Sequence, residues 1–517
     1  MRRILVPVLL AIALVSGCAV NPVTGKKELQ FVSEPQEIAL GVQNYAPSRQ
    51  MQGGDYVLDT ELTQYVQQVG QRIAATSDRP DLPYEFVVLN NSVPNAWALP
   101  GGKIAINRGL LLELGSEAEL AAVLGHEIVH AAARHGAKSM ERGLMLQGAL
   151  VALQLSSRDN RYANFIVGGA QIGAMLISQK YGRSAELESD YYGMNYMSEA
   201  GYDPDAAVDL QQTFVRLSEG RPTDWLSGLF ASHPPSQARV DKNKETLMEL
   251  PDTGEYGQER YMNAIAGIRN NKEAYDQYDK AIESANENQI DQAVALVNEA
   301  VRLEPREAKF HSLLGDIAAH HKDYSEAVRH FSTAVSYNPQ HFQTYLGRGL
   351  THEAMNNLSA AEEDLKRSIA LLPTAPAHMA LGSIAERTGR TDEAKQHYAM
   401  ASQSQSEVGQ AASRALVKLD LPTNPGQYVK TRLQVDPQGQ VSVVVGNTSP
   451  VPIKNVEVLV GVLDPGGTQV QQTKPFRINQ VIGAGQQRVI NTGLGPVTEQ
   501  AQLQRIRVQV NRAAVAE

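Results

Sequence analysis

Apolar residues recur at helical spacing along roughly the first 250 residues of the chain. Capping boxes open two of the predicted helices, one at Ser33 with Gln36 and one at Ser116 with Glu119. We expect the second of these helices to stop at Gly136. Further helices are predicted over 58–76, 183–200, 204–218 and 236–249.

Two short segments of this region predict strands instead. YEFVVLN (84–90) and KIAIN (103–107) are rich in β-branched and aromatic residues, and a Pro-Gly-Gly turn lies between them. Two apolar stretches, 144–155 and 165–178, are each shorter than the ~20 residues that a membrane-spanning helix needs. They predict buried helices, with contact to a membrane surface as the alternative. The fold class expected here is mostly α, in an α+β domain with a small sheet.

From about residue 256 the pattern becomes a repeat. The in-phase positions are Pro305, Pro339 and Pro373 with Ala293, Ala327 and Ala361. A 34-residue period that closes on proline is typical of tetratricopeptide helix hairpins, so we predict an α-helical solenoid. Stacked hairpins form a curved groove, and such grooves commonly hold peptide segments or partner proteins.

After Pro422 the pattern alternates between apolar and polar residues. The segments are VSVVVGN, NVEVLVGVLD, RVINTG and RIRVQV, and Pro, Gly and Asn turns separate them. This alternation predicts a C-terminal all-β sandwich of roughly 90 residues. The segment contains no catalytic cluster, so binding or spacing is its expected function.

The single cysteine, Cys18, lies at the end of a predicted export signal. A basic start at Arg2 and Arg3, an apolar run of about ten residues and small residues before a cut site are typical of a secretory signal. The ending VSGC resembles a bacterial lipobox, which implies lipidation of Cys18; an ordinary signal that happens to carry a cysteine is the alternative. Ala19, rather than Asp, favours the outer membrane over the inner membrane.

Composition narrows the function classes. With 47 Lys and Arg against 56 Asp and Glu, the net charge is -9, so no sequence-wide basic surface indicates nucleic acid as a partner. One cysteine cannot form an intramolecular disulfide or a thiolate metal site.

The segment Gly125-His126-Glu127-Ile128-Val129-His130 carries the clearest chemical signal. On a helix, His126 and His130 are one turn apart and project from one face, as two ligands of one Zn²⁺ should. Glu127 is adjacent to the first ligand and is predicted to be the general base that takes a proton from the activated water.

Catalytic zinc needs a third protein ligand. Gly136 excludes the metzincin pattern, which needs His at that position. Glu186 and Asp190 share one helix face, so Glu186 is the predicted third ligand and Asp190 a carboxylate that orients a ligand histidine. A solvated acidic helix face is the alternative.

These residues resemble a known family. The HEIVH motif with Arg134-His135-Gly136, the downstream Glu186-x-Glu188-x-Asp190-x-x-Gly193 and NAWALPGG (95–102) are similar to the HtpX/CAAX-protease-type gluzincin metallopeptidases. A lipoprotein signal, a peptidase and tetratricopeptide repeats together resemble the BepA-like periplasmic branch. The resemblance implies zinc ligands at His126, His130 and Glu186, a base at Glu127 and support from Asp190. It does not extend to the β domain.

Two further predictions depend on weaker signals. KIAINRG (103–109) could be a sheet edge that pairs with an extended substrate, or a buried strand without substrate contact. His233, in Ser-His-Pro-Pro, matches an element of related peptidases and could be a fourth zinc ligand that keeps the enzyme latent, or a surface-loop histidine.

The sequence therefore predicts a zinc endopeptidase that is lipid-anchored at the periplasmic face of the Gram-negative outer membrane. It would hydrolyse misassembled or misfolded envelope proteins, with the repeats recruiting substrates or the outer-membrane assembly machinery. The alternative is a chaperone or scaffold in which proteolysis is dispensable. The expected division is signal peptide 1–17, tether 18–32, peptidase 33–255, repeats 256–422 and β-sandwich 423–517.

Overall fold

A computed structural model describes residues 18–147, 170–177, 180–220, 232–251, 253–464 and 470–516. The chain forms two compact units, one up to Pro373 and one from Thr374 onward. Among the described residues, none of the helices combines the length and the apolarity that crossing a membrane requires. The expected signal peptide, 1–17, lies outside the described residues, as do residues 148–155, 165–169 and 178 of the two apolar stretches at 144–155 and 165–178.

The first unit begins with a short hairpin, β1 (Cys18–Val20) and β2 (Lys27–Leu29), ahead of helix α1 (Glu34–Met51). The side chain of the buried Asn21 accepts bonds from the backbone of Val23 and Thr24 and donates to the carbonyl of Ala133. The residues expected to be a tether therefore contact the body of the first unit at Ala133. The capping box predicted at the start of α1 is present.

The small sheet has a different edge strand from the one that the sequence predicted. After α2 (Thr60–Ala74), strands β3 (Glu85–Leu89), β4 (Ala96–Leu99) and β5 (Lys103–Asn107) pair in the order β3-β5-β4. β5 is parallel to β3 and antiparallel to β4, so it is the buried central strand. The prediction that 103–109 forms a substrate-pairing edge is wrong, because the sequence around Trp97 supplies an additional strand.

A short helix α3 (Arg108–Leu111) leads to α4 (Glu117–Ala132), which Ser116 caps by accepting a bond from the backbone of Glu119. The predicted stop at Gly136 is wrong: α4 ends before Arg134, whose φ of 61° is left-handed, and α5 (His135–Gln147) begins one residue later. Buried Arg134 donates to Glu37 and to the carbonyl of Val32, which holds this unusual conformation in place.

Four more helices complete this part of the unit: α6 (Ala170–Ile177), α7 (Arg183–Glu199), α8 (Asp205–Gly220) and α9 (Gln237–Leu247). The last three agree with the predicted helices. α4 packs against α7 and α8, and α9 packs against both of those helices. The predicted ligands His126, His130 and Glu186 thus lie on helices α4 and α7 of this helical core.

The helical repeats follow two short helices, α10 (Gln258–Ala264) and α11 (Ala266–Asn270). Three antiparallel hairpins follow in the first unit: α12 (Lys272–Asn286) with α13 (Ile290–Leu303), α14 (Ala308–His320) with α15 (Tyr324–Tyr337), and α16 (Phe342–Ala354) with α17 (Leu358–Leu371). Small residues of the repeat allow the two helices of a hairpin to pack closely. A Cβ at Gly315 would lie 2.8 Å from the ring of Phe331 on the paired helix. The 34-residue period therefore predicted the hairpins correctly.

The repeats and the peptidase-like core of the first unit share a buried polar contact. The Glu307 carboxylate accepts bonds from Asn90 at 3.0 Å and from the Tyr275 hydroxyl at 2.5 Å. The guanidinium of buried Arg108 lies 3.4 Å from the centroid of the Tyr275 ring and donates to Ser92. The first hairpins are thus packed into the body of the unit.

The second unit starts with α18 (Ala375–Arg387), α19 (Thr391–Ala401), α20 (Glu407–Asp420) and the short α21 (Pro425–Tyr428). Two three-stranded antiparallel sheets follow, in the orders β10-β7-β6 and β11-β8-β9. The strands are β6 (Val429–Val435), β7 (Val441–Asn447), β8 (Ile453–Leu463), β9 (Val470–Ile478), β10 (Gln487–Leu494) and β11 (Ile506–Val515), with a short helix α22 (Gln500–Leu503) before the last strand.

This arrangement agrees with the predicted sandwich, whose core is formed by valines and isoleucines of both sheets. Sequence analysis missed β6 and β9. Both are outer strands of their sheets, and they carry the charged residues and the proline that such strands tolerate, including Arg432 and Pro475.

Candidate metal centre

The metal centre depends on a close crossing of α4 and α7. Gly125 of α4 faces Gly193 of α7, where a Cβ on either glycine would lie 2.9 Å from backbone atoms of the other helix. Any larger side chain would separate the helices. The crossing places Glu186, in the first turn of α7, opposite the histidines of α4.

Four buried side chains converge at this point: His126, His130, Glu186 and His233, whose donor atoms all lie within 4.8 Å of one another. The Nε2 atoms of His126 and His130 are 3.0 Å apart, and His233 Nδ1 lies 3.2 Å from His126 Nε2. The Glu186 carboxylate lies 3.5 Å from each of the two α4 histidines and 3.1 Å from His233 Nδ1.

These distances fit a tetrahedral metal ion. Zinc bonds of about 2.0–2.1 Å to nitrogen and oxygen imply donor atoms about 3.3 Å apart, and the measured separations of 3.0–3.5 Å bracket that value. Imidazole nitrogens with a carboxylate are also a donor set that zinc prefers. The residues therefore fit a metal ion at their centre.

Electrostatics favour the same conclusion. Burial lowers the pKa of His130 well below its usual value, so the ring is neutral and its nitrogen lone pair is available to a cation. Burial alone would raise the pKa of Glu186, but His233, His130 and His126 outweigh that effect and hold the pKa far below its usual value. The ionised carboxylate would supply the negative charge that a buried cation needs.

The His126 ring is fixed from behind. Its Nδ1 lies 2.9 Å from Oδ1 of Asp190, so Nδ1 donates and Nε2 faces the other donor atoms. Arg239 of α9 donates to both Asp190 oxygens at 2.6 and 2.7 Å and lies 3.1 Å from the Glu186 carboxylate. These buried contacts hold Asp190 ionised, because Arg239 lowers its pKa against the effect of burial.

The His130 ring is fixed by a second chain of hydrogen bonds. Its Nδ1 lies 2.9 Å from Nδ1 of buried His135, and His135 Nε2 lies 3.1 Å from a carboxylate oxygen of Glu188. The proton arrangement that satisfies all three groups has His130 donating to His135 and His135 donating to Glu188. The left-handed turn at Arg134 is what brings His135 back under His130.

Glu127 and Tyr181 lie beside the four donors. Glu127 Oε1 is 3.6 Å from His233, and its buried Oε2 has no hydrogen-bond partner among the described residues. Such an oxygen is suited to receive a proton from a water or substrate. The Tyr181 ring packs on His130 with centroids 4.0 Å apart.

The structure brings the sequence-predicted residues together. His126, His130, Glu186 and His233 share one centre, Asp190 contacts the first of them and Glu127 borders it. Cys18 is part of the β1 hairpin.

Three residues in these contacts were not predicted from the sequence: Arg239, His135 as a partner of His130, and Tyr181. A sequence signal existed only for His135, which was part of the motif that carried the family resemblance. Arg239 and Tyr181 reach the centre through tertiary packing that spacing does not encode.

Comparison with known proteins decides the family. Residues 60–247 match the profile of Peptidase family M48. The chain carries a family M48 peptidase domain. Behind the M48 domain, residues 278–342, 322–376 and 346–407 match a tetratricopeptide repeat profile, which agrees with the observed hairpins.

Three relatives illustrate the M48 similarity. Mitochondrial metalloendopeptidase OMA1 of Schizosaccharomyces pombe is 37% identical over 36% of this chain and 53% of its own length. The Arabidopsis thaliana protein of the same name is 32% identical over 36% of this chain and 36% of its own length. Beta-barrel assembly-enhancing protease of Escherichia coli K12 is 24% identical over 60% of this chain and 72% of its own length. The chain thus spans about half the length, or less, of the first two.

Proposed function

We propose that this chain is a zinc-dependent endopeptidase. The observation that carries the proposal is the buried group of three imidazoles and one carboxylate at tetrahedral separations. Beside it lies a Glu127 oxygen that no described residue hydrogen-bonds. The M48 profile over the same residues supports it. Zinc is the ion that suits this donor set best.

His126, His130 and Glu186 would hold the ion, which supplies Lewis-acid activation of a water and of the scissile carbonyl. Glu127 would accept the proton of the attacking water at Oε2 and deliver it to the leaving amine. Asp190 and Arg239 keep His126 and Glu186 in position throughout. β4 is one of the two outer strands of the described sheet and is the one that packs on α4, so it replaces β5 as the candidate for pairing with an extended substrate.

His233 would be a latch in this scheme. Catalytic zinc keeps one position open for water or substrate, and His233 Nδ1, 3.1 Å from the Glu186 carboxylate, would occupy that position. The ring would have to leave for catalysis. We expect His233→Ala to raise basal proteolysis while zinc stays bound; unchanged proteolysis and unchanged zinc affinity would refute the latch.

Cellular context is part of the same proposal. The lipobox-like sequence at Cys18 supports a lipid anchor at the periplasmic face of the outer membrane. The Escherichia coli relative is named as a beta-barrel assembly-enhancing protease, which supports misassembled envelope proteins as substrates. The repeats would recruit those substrates or the assembly machinery.

The test is hydrolysis of casein by the purified full chain with and without metal. Activity should vanish after chelation, return with one equivalent of zinc, and be absent in Glu186→Ala, which should also lose its zinc. Glu199→Ala, at an exposed position of the same helix, is the matched control and should behave as the parent. Chelator-resistant hydrolysis would refute a metal-dependent peptidase. Zinc binding without any hydrolysis would favour the binding-only alternative, a chaperone or scaffold.

A further inference from the structure

A cavity opens beside Glu127. Helices α4, α7, α8 and α9 enclose it, and His126, Glu127 and His233 form its inner end. A side chain in this cavity would therefore belong to a residue next to the bond that Glu127 acts on.

The cavity wall is largely apolar. Val123 of α4, Met194 of α7, and Leu210 and Phe214 of α8 surround it. On α8, Ala207, Leu210, Gln211 and Phe214 form one helix face at spacings of three and four residues. Gln211 is the polar exception on this buried face, where a purely structural helix would carry another apolar residue.

Three polar groups of the wall are buried without partners. Ser189 Oγ, Gln211 Oε1 and Asn243 Oδ1 form no hydrogen bond with any described residue, although the side chains are 0%, 5% and 2% exposed. Buried polar atoms in native proteins nearly always have a partner, so three such atoms in residues that line one cavity point to a missing hydrogen-bond donor. The carboxamide oxygens accept, and a ligand group would have to donate.

Charge on the wall argues for a neutral donor. Both Asp190 oxygens are already bonded to Arg239, and the Arg239 guanidinium itself lines the cavity. A lysine or arginine side chain would meet this fixed cation without a free counter-ion other than Glu127, which the reaction uses. Burying an unpaired charge in an apolar cavity is costly.

We propose that this cavity receives a substrate side chain flanking the scissile bond and selects tyrosine over phenylalanine. The aromatic ring matches the apolar wall, and the hydroxyl donates to the unpartnered oxygens of Gln211, Asn243 or Ser189. This inference rests on the proposed peptidase function and adds its substrate preference. Tryptophan and glutamine, which also end in neutral donors, should rank between tyrosine and phenylalanine.

The test compares kcat/KM for paired peptides that differ only by Tyr or Phe at a residue flanking the cleaved bond, using the zinc-loaded full chain. The parent should favour Tyr by at least about tenfold, because a site built to bond a hydroxyl rejects the analogue that lacks it. In Gln211→Met and Asn243→Leu, which remove the acceptors and keep the volume, the Tyr/Phe ratio should fall towards one. Gln212→Met, the neighbouring residue outside the cavity wall, should keep the parent ratio.

The parent ratio alone decides the inference if a variant fails to fold. Equal rates for Tyr and Phe, a preference for Lys, or a ratio that survives both variants would overturn it. Equal rates with zinc- and Glu127-dependent cleavage would overturn only this inference and leave the peptidase proposal standing. Absence of any zinc-dependent cleavage in the parent would overturn both.

Discussion

At the scale of single residues, the metal centre depends on side chains that hold the ligands as much as on the ligands. His126 is held by Asp190, and His130 is held by His135, which in turn bonds Glu188. Partners of ligand histidines fix the ring orientation and the tautomer, and their loss typically costs about 10–100-fold in metal affinity.

We therefore expect His135→Ala to weaken zinc binding by about 10–100-fold, because the His130 ring loses the acceptor for its Nδ1 proton. Competition between the protein and a zinc-binding dye measures this affinity directly. His320→Ala, at an exposed position of the repeats, is the control and should leave the affinity unchanged. An unaltered dissociation constant in His135→Ala would show that the bond is incidental.

The sequence predicted the residues of the metal centre that have a fixed spacing along one helix. It did not predict those that tertiary packing brings to the centre. His126 and His130 are one turn apart on a helix, so their common face follows from helical geometry. Arg239 lies 49 residues from its bonded partner Asp190, and no local rule predicts their contact. His135 was visible in the sequence, but its role required the left-handed turn at Arg134.

At the scale of elements, helix α4 is anchored at its first turn by Glu117. This buried carboxylate accepts bonds from Tyr65, Tyr202 and Arg260, at 2.8–3.0 Å. Burial alone would raise the pKa of Glu117, but these donors lower it below its usual value. The ionised form therefore stabilises the fold, since a group with a depressed folded-state pKa contributes above its unfolded pKa.

Glu117→Gln should lower the free energy of unfolding by about 1–3 kcal/mol at pH 7, through weaker bonds to the three donors. The contribution should disappear as the pH falls from about 4.3 through the lower folded-state pKa, so parent and variant converge in acid. Urea unfolding across pH 7 to pH 3 measures the difference. A difference in the free energy of unfolding between parent and variant that stays constant with pH would contradict the role of the ionised Glu117 carboxylate.

The elements themselves were mostly predictable. Capping residues gave the starts of α1 and α4 because Ser33 and Ser116 carry their signals locally. The end of α4 was missed, since a left-handed arginine held by the distant Glu37 has no local signature, whereas glycine at Gly136 has. The residue pattern alone did not predict β4, because only four residues form it; the family resemblance of NAWALPGG (95–102) was the one signal for a strand there.

At the scale of the whole molecule, the first repeats are part of the same compact unit as the peptidase domain. Glu307 begins the second hairpin and accepts bonds from Asn90 of the domain and Tyr275 of the first hairpin. The 34-residue period predicted the hairpins, but a repeat pattern does not show which surface the hairpins bury. That contact became visible only in the structure.

Glu307→Ala should destabilise this unit by about 1–3 kcal/mol, because Asn90 and Tyr275 would be left as buried donors without an acceptor. Thermal unfolding followed by tryptophan fluorescence would report the loss, since Trp97 lies in the peptidase domain. Glu299→Ala removes an exposed ion pair with Arg302 and should leave the stability nearly unchanged, because solvent screens such a pair. Equal effects of the two variants would show that the interface does not couple repeats to peptidase.

In the proposed mechanism, Glu127 performs proton transfer beside a zinc ion that His126, His130 and Glu186 would hold. The most direct measurement is the rate of casein hydrolysis by Glu127→Gln at confirmed full zinc occupancy. We expect one zinc per chain, as in the parent, and a rate lower by about 10²–10⁴-fold, because the general base is lost while the ligands remain. A zinc-loaded variant that hydrolyses casein as fast as the parent would contradict the role of Glu127 as the general base.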